Sequence, residues 1–523
     1  MFHINKLRYL LLLVVISASL SCNKFLNVTP NNNLSGNNFW TKTSDYEGYT
    51  AGLYNQLRSY LCNSTAFFMV TGEFRYGLWE NVSGQNRGGG TLNDMLSELT
   101  SNNMNGIYSS SQDWVSGYGY SKINDWATWY TIIQDCNILQ AQVAENKDDV
   151  LSANDQKRYN AEAVFVRNLC YFLMVRLYGD VPYYTEAYAS EPTTRTAMKD
   201  VVNNCVEDLK SVADDLPWTL VSETSGYYAT RASRAAVYAL IMNLDMWNAT
   251  FDSENKTHYY QETDSVGSIL INQNEGYYQL MPISTLEQSK EIFRGFTKES
   301  IFTIPSNYNL GETFTSVAQM GFFTLAGTNY DPDNADAKSA LYLNSDYLTK
   351  LYPNTNDSRF RIWFGGADNY SSHDGNFEFY KFYNIDQIDG GSTDSKILFR
   401  MADAILLRAE ALNYLGRTDE SVAMLNLIKT RAGTPAYSVA GGGGETAGAN
   451  KDLESEIIWE RLREFIGEGS FFYDVVRTKA IINSTYFKNT MTSDAFNLKA
   501  WTWPLSPSVR DQNPNITLNT YWQ

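Results

Sequence analysis

Histidine is scarce in this 523-residue sequence, which has only three. Two of them, His258 and His373, lie in polar, loop-like stretches, and neither has a second ligand residue at metal-binding spacing. A histidine-based catalytic triad and a zinc site both require such neighbours, so neither is predicted. We expect no metal and no cofactor.

Long apolar runs are also missing. A membrane-spanning helix needs about 20 apolar residues, whereas the run near the amino terminus extends only from Leu10 to Ile16. It follows Lys6 and Arg8 and precedes several small residues, which is the layout of an export signal. We therefore predict a signal peptide at residues 1–21.

The predicted signal ends at Ser21, directly before Cys22. This junction resembles the bacterial lipoprotein box, in which the cysteine is acylated and becomes the first residue, although Ser19 stands where leucine is usual. Several acyl chains on one residue hold a folded protein at a membrane. We predict lipid attachment at Cys22 and a polar tether over residues 22–38. The alternative is that Cys22 is an ordinary thiol.

Basic residues are in deficit, and cysteines are few. Without the signal peptide, 39 basic residues remain against 58 acidic ones, a formal charge of −19. Nucleic acid and anionic membrane surfaces select basic patches, so neither is an expected partner.

Beyond Cys22 only four cysteines remain, too few for a disulfide scaffold, and three of them fall in helical patterns as small hydrophobic residues.

Helical periodicity recurs along the chain. In residues 398–433, Met401, Ile405, Ala409 and Leu412 form one apolar face, Gly416 ends that helix, and a second apolar stripe follows. This hairpin of about 34 residues has the size of one tetratricopeptide repeat, and weaker echoes of it occur earlier. The prediction is a mostly α, tetratricopeptide-like scaffold, with a non-repeating helical bundle as the alternative. The predicted scaffold segments are roughly 39–61, 125–275 and 398–480.

Two long segments interrupt the helical pattern, at roughly 62–124 and 276–396, and a tail follows at 481–523. They are rich in Gly, Asn and aromatic residues, and the second contains short β-like pieces such as "SIFTIP" and "FEFYKFY". We interpret them as loop-rich insertions forming a less regular subdomain. Long irregular insertions on a regular scaffold are typical sites of function.

Carboxylates are the remaining candidates for catalysis. The densest group lies in "ERLREFIGEGSFFYDVVR", where Glu460, Glu464, Glu468 and Asp474 alternate with arginines. Structural ion pairs are the favoured interpretation, although a two-carboxylate glycosidase is not excluded by counting. The stretch from Asp331 begins like a calcium loop but lacks its glycine and its final glutamate, so we interpret it as a solvated turn.

Aromatic residues with polar neighbours are the strongest binding signal in the insertions. A sugar ring offers an apolar face for stacking and hydroxyls for hydrogen bonds, which such sets can satisfy. The alternative for each aromatic is burial beneath its own loop. The predicted glycan-binding residues are Arg75, Tyr76, Trp79, Asn81, Trp114, Tyr118, Tyr308, Tyr330 and Trp363.

Five motifs follow one another along the chain: "FLNVTP" with the following "FW" and "DYEGYTAGLYNQL", "AEAVFVRNLCYFLMVRLYGDVPYY", "FRMADAILLRAEALNYLG", "ERLREFIGEGSFFYDVVRT" and "WPLSPSVRDQNPNITLN". In this order they resemble the SusD/RagB family of outer-membrane nutrient-uptake lipoproteins of Bacteroidota. Departures include Asp403 where glutamate is common, and Ser506 and Val509 where proline and glutamate are usual.

This resemblance implies four tetratricopeptide-like helix pairs, a lipid-anchored position facing the cell exterior, and a SusC-like TonB-dependent transporter as partner. It also implies capture of oligosaccharides, or of peptides in some members, without catalysis. The motifs lie in the scaffold and tail and carry no ligand positions. Two rivals stay open: a surface glycoside hydrolase, and a structural subunit that gates the transporter with little ligand contact.

Overall fold

The computed structural model describes most of the chain beyond the predicted tether. The described residues are 39–63, 65–81, 91–109, 119–189, 191–221, 228–305, 341–343, 345–365, 378–382, 385–386, 391–392, 395–439, 452–486 and 490–523.

Helices dominate this described part. The α-helices are α1 (Thr43–Arg58), α2 (Thr91–Thr100), α3 (Met104–Ser109), α4 (Tyr120–Ile123), α5 (Ala127–Glu145), α6 (Ala153–Tyr178), α7 (Met198–Val212), α8 (Arg234–Phe251), α9 (Lys256–Asn272), α10 (Leu286–Arg294), α11 (Ser345–Leu351), α12 (Ser358–Trp363), α13 (Met401–Tyr414), α14 (Thr418–Arg431), α15 (Leu453–Phe465), α16 (Phe471–Arg477), α17 (Ser493–Asn497) and α18 (Pro507–Gln512). Shorter π-helical and 3-10 turns are Ser59–Asn63, Met69–Glu73, Lys147–Asp149, Ala213–Asp215, Ala480–Ile482 and Thr520–Trp522.

Eight of these helices form the scaffold. Helix α1 packs against α5, α6 against α7, α8 against α9, and α13 against α14. Successive pairs also touch, because α5 contacts α6, α7 contacts α8, and α9 contacts α13. The predicted tetratricopeptide-like scaffold of four stacked pairs is thus confirmed, and stacking buries a continuous core that one pair could not form.

Burial explains why some scaffold helices show a clear stripe in sequence and others do not. Helix α7 buries one face, which includes Val201, Cys205 and Leu209. Helix α6 is buried on almost every side from Ala161 onwards, so its apolar residues follow no stripe. Its first turn is capped by the Ser152 hydroxyl, which accepts the backbone N–H of Asp155.

The strands are short and pair in twos. They are β1 (Trp79–Asn81), β2 (Ser300–Ile304), β3 (Leu341–Leu343), β4 (Phe364–Gly365), β5 (Glu378–Phe379), β6 (Ile385–Asp386), β7 (Gly391–Ser392) and β8 (Lys396–Arg400). The pairs β1–β3, β2–β8, β4–β5 and β6–β7 are all antiparallel. The short β elements are confirmed: "SIFTIP" contains β2, and "FEFYKFY" contains the strand Glu378–Phe379.

The insertions are more helical than their composition indicates. Helices α2 and α3 lie in the first, and α10, α11 and α12 in the second. In α2, Met95, Leu96 and Leu99 are buried at helical spacing, a signal that its glycine-rich neighbours obscured. The less regular subdomain thus contains short helices beside its loops and strands.

The described residues contain buried free cysteines, no membrane-spanning helix and no metal-binding group. Cys62, Cys136, Cys170 and Cys205 are all buried, and the described residues contain no disulfide. In the same part of the chain, no helix combines the length and apolar character needed to cross a membrane. Nor do any three potential ligand residues meet there in a metal-binding group.

Candidate ligand-binding site

Three insertion segments, one of which carries Tyr308 and Tyr330, adjoin a single pair of contacting ribbons. Asn81, at the end of β1, pairs with Leu341, at the start of β3. Gly365 of β4 pairs with Glu378 of β5, and the Trp79 ring lies 5.2 Å from that of Phe379. Residues 82–90, 306–340 and 366–377 therefore each adjoin one of two contacting ribbons.

Trp79 does not face outward from its ribbon. Its side chain is 4% exposed, and its indole N–H donates to Glu73 at 3.0 Å. With one face occupied by protein and its only polar atom satisfied, the ring cannot stack on a sugar in this structure. The prediction of Trp79 as a ligand contact is corrected: it anchors β1.

Glu73 joins this anchor to the carboxyl-terminal helices. Besides Trp79, its carboxylate accepts the backbone N–H groups of Gly467 at 2.8 Å and Gly469 at 3.0 Å. Both glycines have positive φ, which turns successive N–H groups toward one anion. A Cβ on Gly72 would lie 1.8 Å from the Gly469 carbonyl oxygen, so the two backbones meet directly. Burial raises the pKa of Glu73, against the opposing effect of these hydrogen bonds.

Trp363 is likewise an internal residue. It is fully buried, its indole N–H donates to the Ser289 hydroxyl at 2.7 Å, and the Lys381 ammonium lies 4.2 Å from its ring centroid. Burial lowers the pKa of Lys381 to about 8, although Glu468 accepts from it at 2.8 Å. Trp363 therefore stabilises the second insertion, and its prediction as a ligand contact is also corrected.

Arg75 binds the tail of the chain instead of a ligand. It is 1% exposed and donates to the Asn102 side chain and to the carbonyls of residues 500–502. Its guanidinium also lies 4.4 Å from the Phe472 ring centroid. Burial lowers its pKa to about 10. Every one of these partners is internal, so the ligand role predicted for Arg75 is wrong.

The other predicted residues are open to different degrees. Tyr76 is half-buried, has φ of 51°, and stacks on Phe472 with centroids 6.2 Å apart. Asn81 ends β1, where its backbone pairs with Leu341. The remaining predicted residues, which lie outside the described residues, are Cys22, Trp114, Tyr118, Tyr308 and Tyr330.

Known proteins resemble this chain over most of its length. A profile of the SusD family matches residues 366–522, and one described as "Starch-binding associating with outer membrane" matches residues 76–244. A solved SusD homolog from Bacteroides thetaiotaomicron is 33% identical and superposes with a TM-score of 0.78, covering 92% of this chain and 99% of that one.

The chain belongs to the SusD family. A second solved SusD superfamily protein of Bacteroides thetaiotaomicron shares the fold at 22% identity, with a TM-score of 0.72 over 92% of this chain and 99% of that one. Two SusD-like proteins of Formosa agariphila are 23% and 22% identical, over 88% and 97% of this chain and the same shares of their own lengths.

The charged motif of this SusD-family chain is a buried ion-pair network. Glu464 accepts from Arg400 at 2.7 Å and from Arg359 at 2.9 Å, and it also pairs with Arg431. Burial alone would raise the pKa of Glu460, but Arg359 and its neighbouring cations outweigh it and lower that pKa to about 2. The structural interpretation of the cluster is confirmed, since these carboxylates are enclosed and paired.

Sequence analysis missed an open groove on the scaffold, between the start of α5, residues 182–192 and α18. Its volume is about 490 Å³, and Trp126, Tyr130 and Tyr184 line it. Its aromatic residues come from "DWATWY" and "DVPYY", whose periodicity and position indicate helix packing and a turn more readily than a binding surface. The groove involves none of the predicted ligand residues.

Proposed function

We propose that this chain is a non-enzymatic, cell-surface glycan-binding protein of the outer membrane. It captures oligosaccharide and delivers it to a SusC-like TonB-dependent transporter. Membership of the SusD family supports this proposal, as does the match to the profile described as starch-binding and associating with the outer membrane. The formal charge of −19 after signal removal also favours a neutral ligand over a polyanion.

The observation that carries the proposal is the common attachment of two segments that contain aromatic residues, 306–340 and 366–377, and of the glycine-rich segment 82–90. The β1–β3 and β4–β5 ribbons touch through Trp79 and Phe379, and segments 82–90, 306–340 and 366–377 leave from them. Separate chain segments fixed at one base can supply several rings and polar groups to one ligand. The proposed ligand residues are now Tyr76, Asn81, Trp114, Tyr118, Tyr308 and Tyr330.

A binding role fits the carboxylates better than hydrolysis does. A glycosidase needs two carboxyl groups that reach the substrate, about 5 to 10 Å apart. The densest carboxylate group instead lies inside the protein, where Glu460 and Glu464 are at most 1% exposed and held by arginines. Neither can reach a polysaccharide without breaking those pairs.

Affinity electrophoresis against soluble polysaccharides tests the proposal. We expect retardation of the wild type by at least one neutral polysaccharide, and loss of that retardation in Trp114→Ala and Tyr330→Ala. Tyr414→Ala is the matched control, because Tyr414 is an exposed aromatic at the end of scaffold helix α13 and lines neither site. No retardation by any polysaccharide would refute glycan binding, and release of sugar products would favour the hydrolase instead.

Lipid anchoring and the transporter partnership need separate measurements. We expect Cys22→Ser to move the protein from the outer-membrane fraction to the soluble fraction while leaving polysaccharide affinity unchanged. The lipidated wild type should copurify with a TonB-dependent transporter. Copurification with unimpaired glycan uptake by the Trp114 and Tyr330 variants would support the structural-subunit rival.

A further inference from the structure

The scaffold groove is built from three separate stretches of chain that hydrogen bonds hold together. The Tyr130 hydroxyl donates to the Pro182 carbonyl at 2.8 Å, and the Tyr171 hydroxyl accepts the Tyr184 N–H at 2.7 Å. From the tail, the Asn513 amide donates to the Thr193 carbonyl at 2.9 Å. A site fixed in this way loses little conformational freedom when a ligand binds.

Its apolar part consists of aromatic rings in a connected row. The Trp126 and Tyr130 centroids are 5.7 Å apart, those of Tyr130 and Tyr184 are 5.6 Å apart, and both pairs are edge-to-face. Trp126 is buried, whereas the two tyrosines are half-buried and share the groove surface with Pro182 and Pro192. Such a surface offers flat apolar contacts to a ring-shaped ligand.

The polar groups at the groove suit hydroxyls. Side-chain amides come from Gln134 and Gln512, and carboxylates from Asp135 and Glu191. Asp135 is held in place by the Tyr49 hydroxyl at 3.1 Å and by a glutamine amide. The charged groups that line the groove are carboxylates, and neither lysine nor arginine occurs among the described lining residues, so a sulfate or uronate would meet like charge there. Arg195 lies behind the Trp126 ring, 5.4 Å from its centroid, and donates to Asn519 instead.

We propose that this groove is a second saccharide-binding site, specific for a neutral glycan chain and separate from the ribbons at Trp79. The proposal rests on the glycan-binding function above and adds a position and a charge class to it. Its volume of about 490 Å³ falls within the range of small-molecule sites, roughly 300–1,000 Å³. A second contact on the same polymer raises retention through effective concentration.

A peptide is a less suitable occupant of the groove. One common mode of peptide recognition adds a strand to an exposed sheet edge, and another docks a proline-rich segment in an aromatic-lined groove. The described walls of the groove are α5, α18 and an irregular segment, and no strand lies among them. Peptide binding is therefore measured beside polysaccharide binding.

Two matched variants on α5 test the groove without removing a core contact. Thr131 is exposed and lines the groove, whereas Thr128 is exposed on the same helix and does not. Thr131→Trp should weaken binding to the neutral polysaccharide that retards the wild type by at least fivefold, while Thr128→Trp should stay within twofold. Gln512→Ala should give a smaller loss of affinity without added bulk. Unchanged melting midpoints would show that all three variants are folded.

The probes are xylan, mannan, laminarin and amylopectin, with alginate and carrageenan as polyanions and a casein digest as peptide. Equal affinity of Thr131→Trp, Gln512→Ala and wild type for a bound neutral polysaccharide would overturn the groove and leave the proposed function standing. If the wild type binds none of the neutral polysaccharides, both proposals fall. Binding of alginate, carrageenan or casein peptides that Thr131→Trp abolishes would overturn the neutral-glycan assignment.

Discussion

Glu464→Gln removes the charge at the centre of the buried ion-pair network. The carboxylate of α15 joins three separate elements: Arg359 of α12, Arg400 at the end of β8, and Arg431 at the end of α14. Burial by itself would raise the pKa of Glu464, but the three guanidinium groups outweigh it and hold the pKa well below its usual range. Glutamine keeps the volume of the side chain, so the substitution leaves no cavity and tests the charge alone.

The magnitude follows from what remains after the charge is lost. One amide oxygen can still accept a hydrogen bond, but the amide N–H₂ group would face a guanidinium, and three buried cations would share one fewer carboxylate. Removing one partner of a buried ion pair destabilises a protein by about 3–5 kcal/mol. The unfolding entropy near 60 °C is about 2.1 cal/mol/K per residue, which for this length gives about 1 kcal/mol/K. The melting midpoint should therefore fall by about 3–5 °C.

Differential scanning calorimetry of the mature protein measures this shift. Glu454→Gln is the matched control, because Glu454 lies exposed on the same helix and accepts only one surface hydrogen bond, from Tyr414. A surface substitution of this kind should change stability by about 0.5 kcal/mol or less. If Glu464→Gln melts no lower than Glu454→Gln, the network does not stabilise the junction between insertion and scaffold, and the reasoning fails.

Three further predictions concern neighbouring anchors. Arg75→Lys should speed tryptic cleavage of the tail at Arg510 severalfold, because the donors of lysine all sit on one nitrogen and cannot reach the carbonyls of residues 500–502 and the Asn102 side chain together, as the guanidinium fork does. An unchanged cleavage rate would contradict the anchoring role. Glu73→Gln should lower the free energy of unfolding, measured in urea, by about 1–3 kcal/mol, since one glycine N–H loses its acceptor. An unchanged urea midpoint would count against an anchoring role for Glu73. Glu460 has a pKa of about 2 in the folded protein, below its value of 4.5 in the unfolded chain, so the stability that its charge contributes is complete above pH 4.5 and is lost as the pH falls toward 2. The melting midpoint of Glu460→Gln should therefore depend less on pH between 4.5 and 2 than that of the wild type. An equally steep dependence would refute this.

The scaffold was predictable because its pattern is repeated and local. Helical spacing in "FRMADAILLRAEALNYLG" specifies α13, and Gly416 stops it in a backbone conformation with φ of 73°. The charged block was also interpreted correctly as ion pairs, because carboxylates and arginines alternate within one helix. Family resemblance then gave the number of helix pairs, which no single periodic stretch reveals.

The ligand residues were harder to predict, because an aromatic ring in a glycine-rich segment has two opposite uses. Trp79 and Trp363 were chosen for the polar, glycine-rich sequence around them, which indicates exposure. Each is instead buried by partners far away in sequence, since Phe379 covers Trp79 and Ser289 binds Trp363. The spacing of residues in the sequence does not predict contacts between such distant segments. The scaffold groove is hard to predict for the converse reason, because Trp126, Tyr130 and Tyr184 lie in or beside helices that pack and yet line an open groove.

These contacts also explain why the motif "ERLREFIGEGSFFYDVVRT" carries no ligand position. Its glycines at 467 and 469 hold Glu73 of the first insertion, and its Glu464 holds Arg359 of the second, so this one motif fastens both insertions to the scaffold from within. The fastening groups are buried and mutually paired, and changing one leaves its partner unsatisfied. A binding protein built in this way can change its ligand contacts elsewhere while these internal anchors stay fixed.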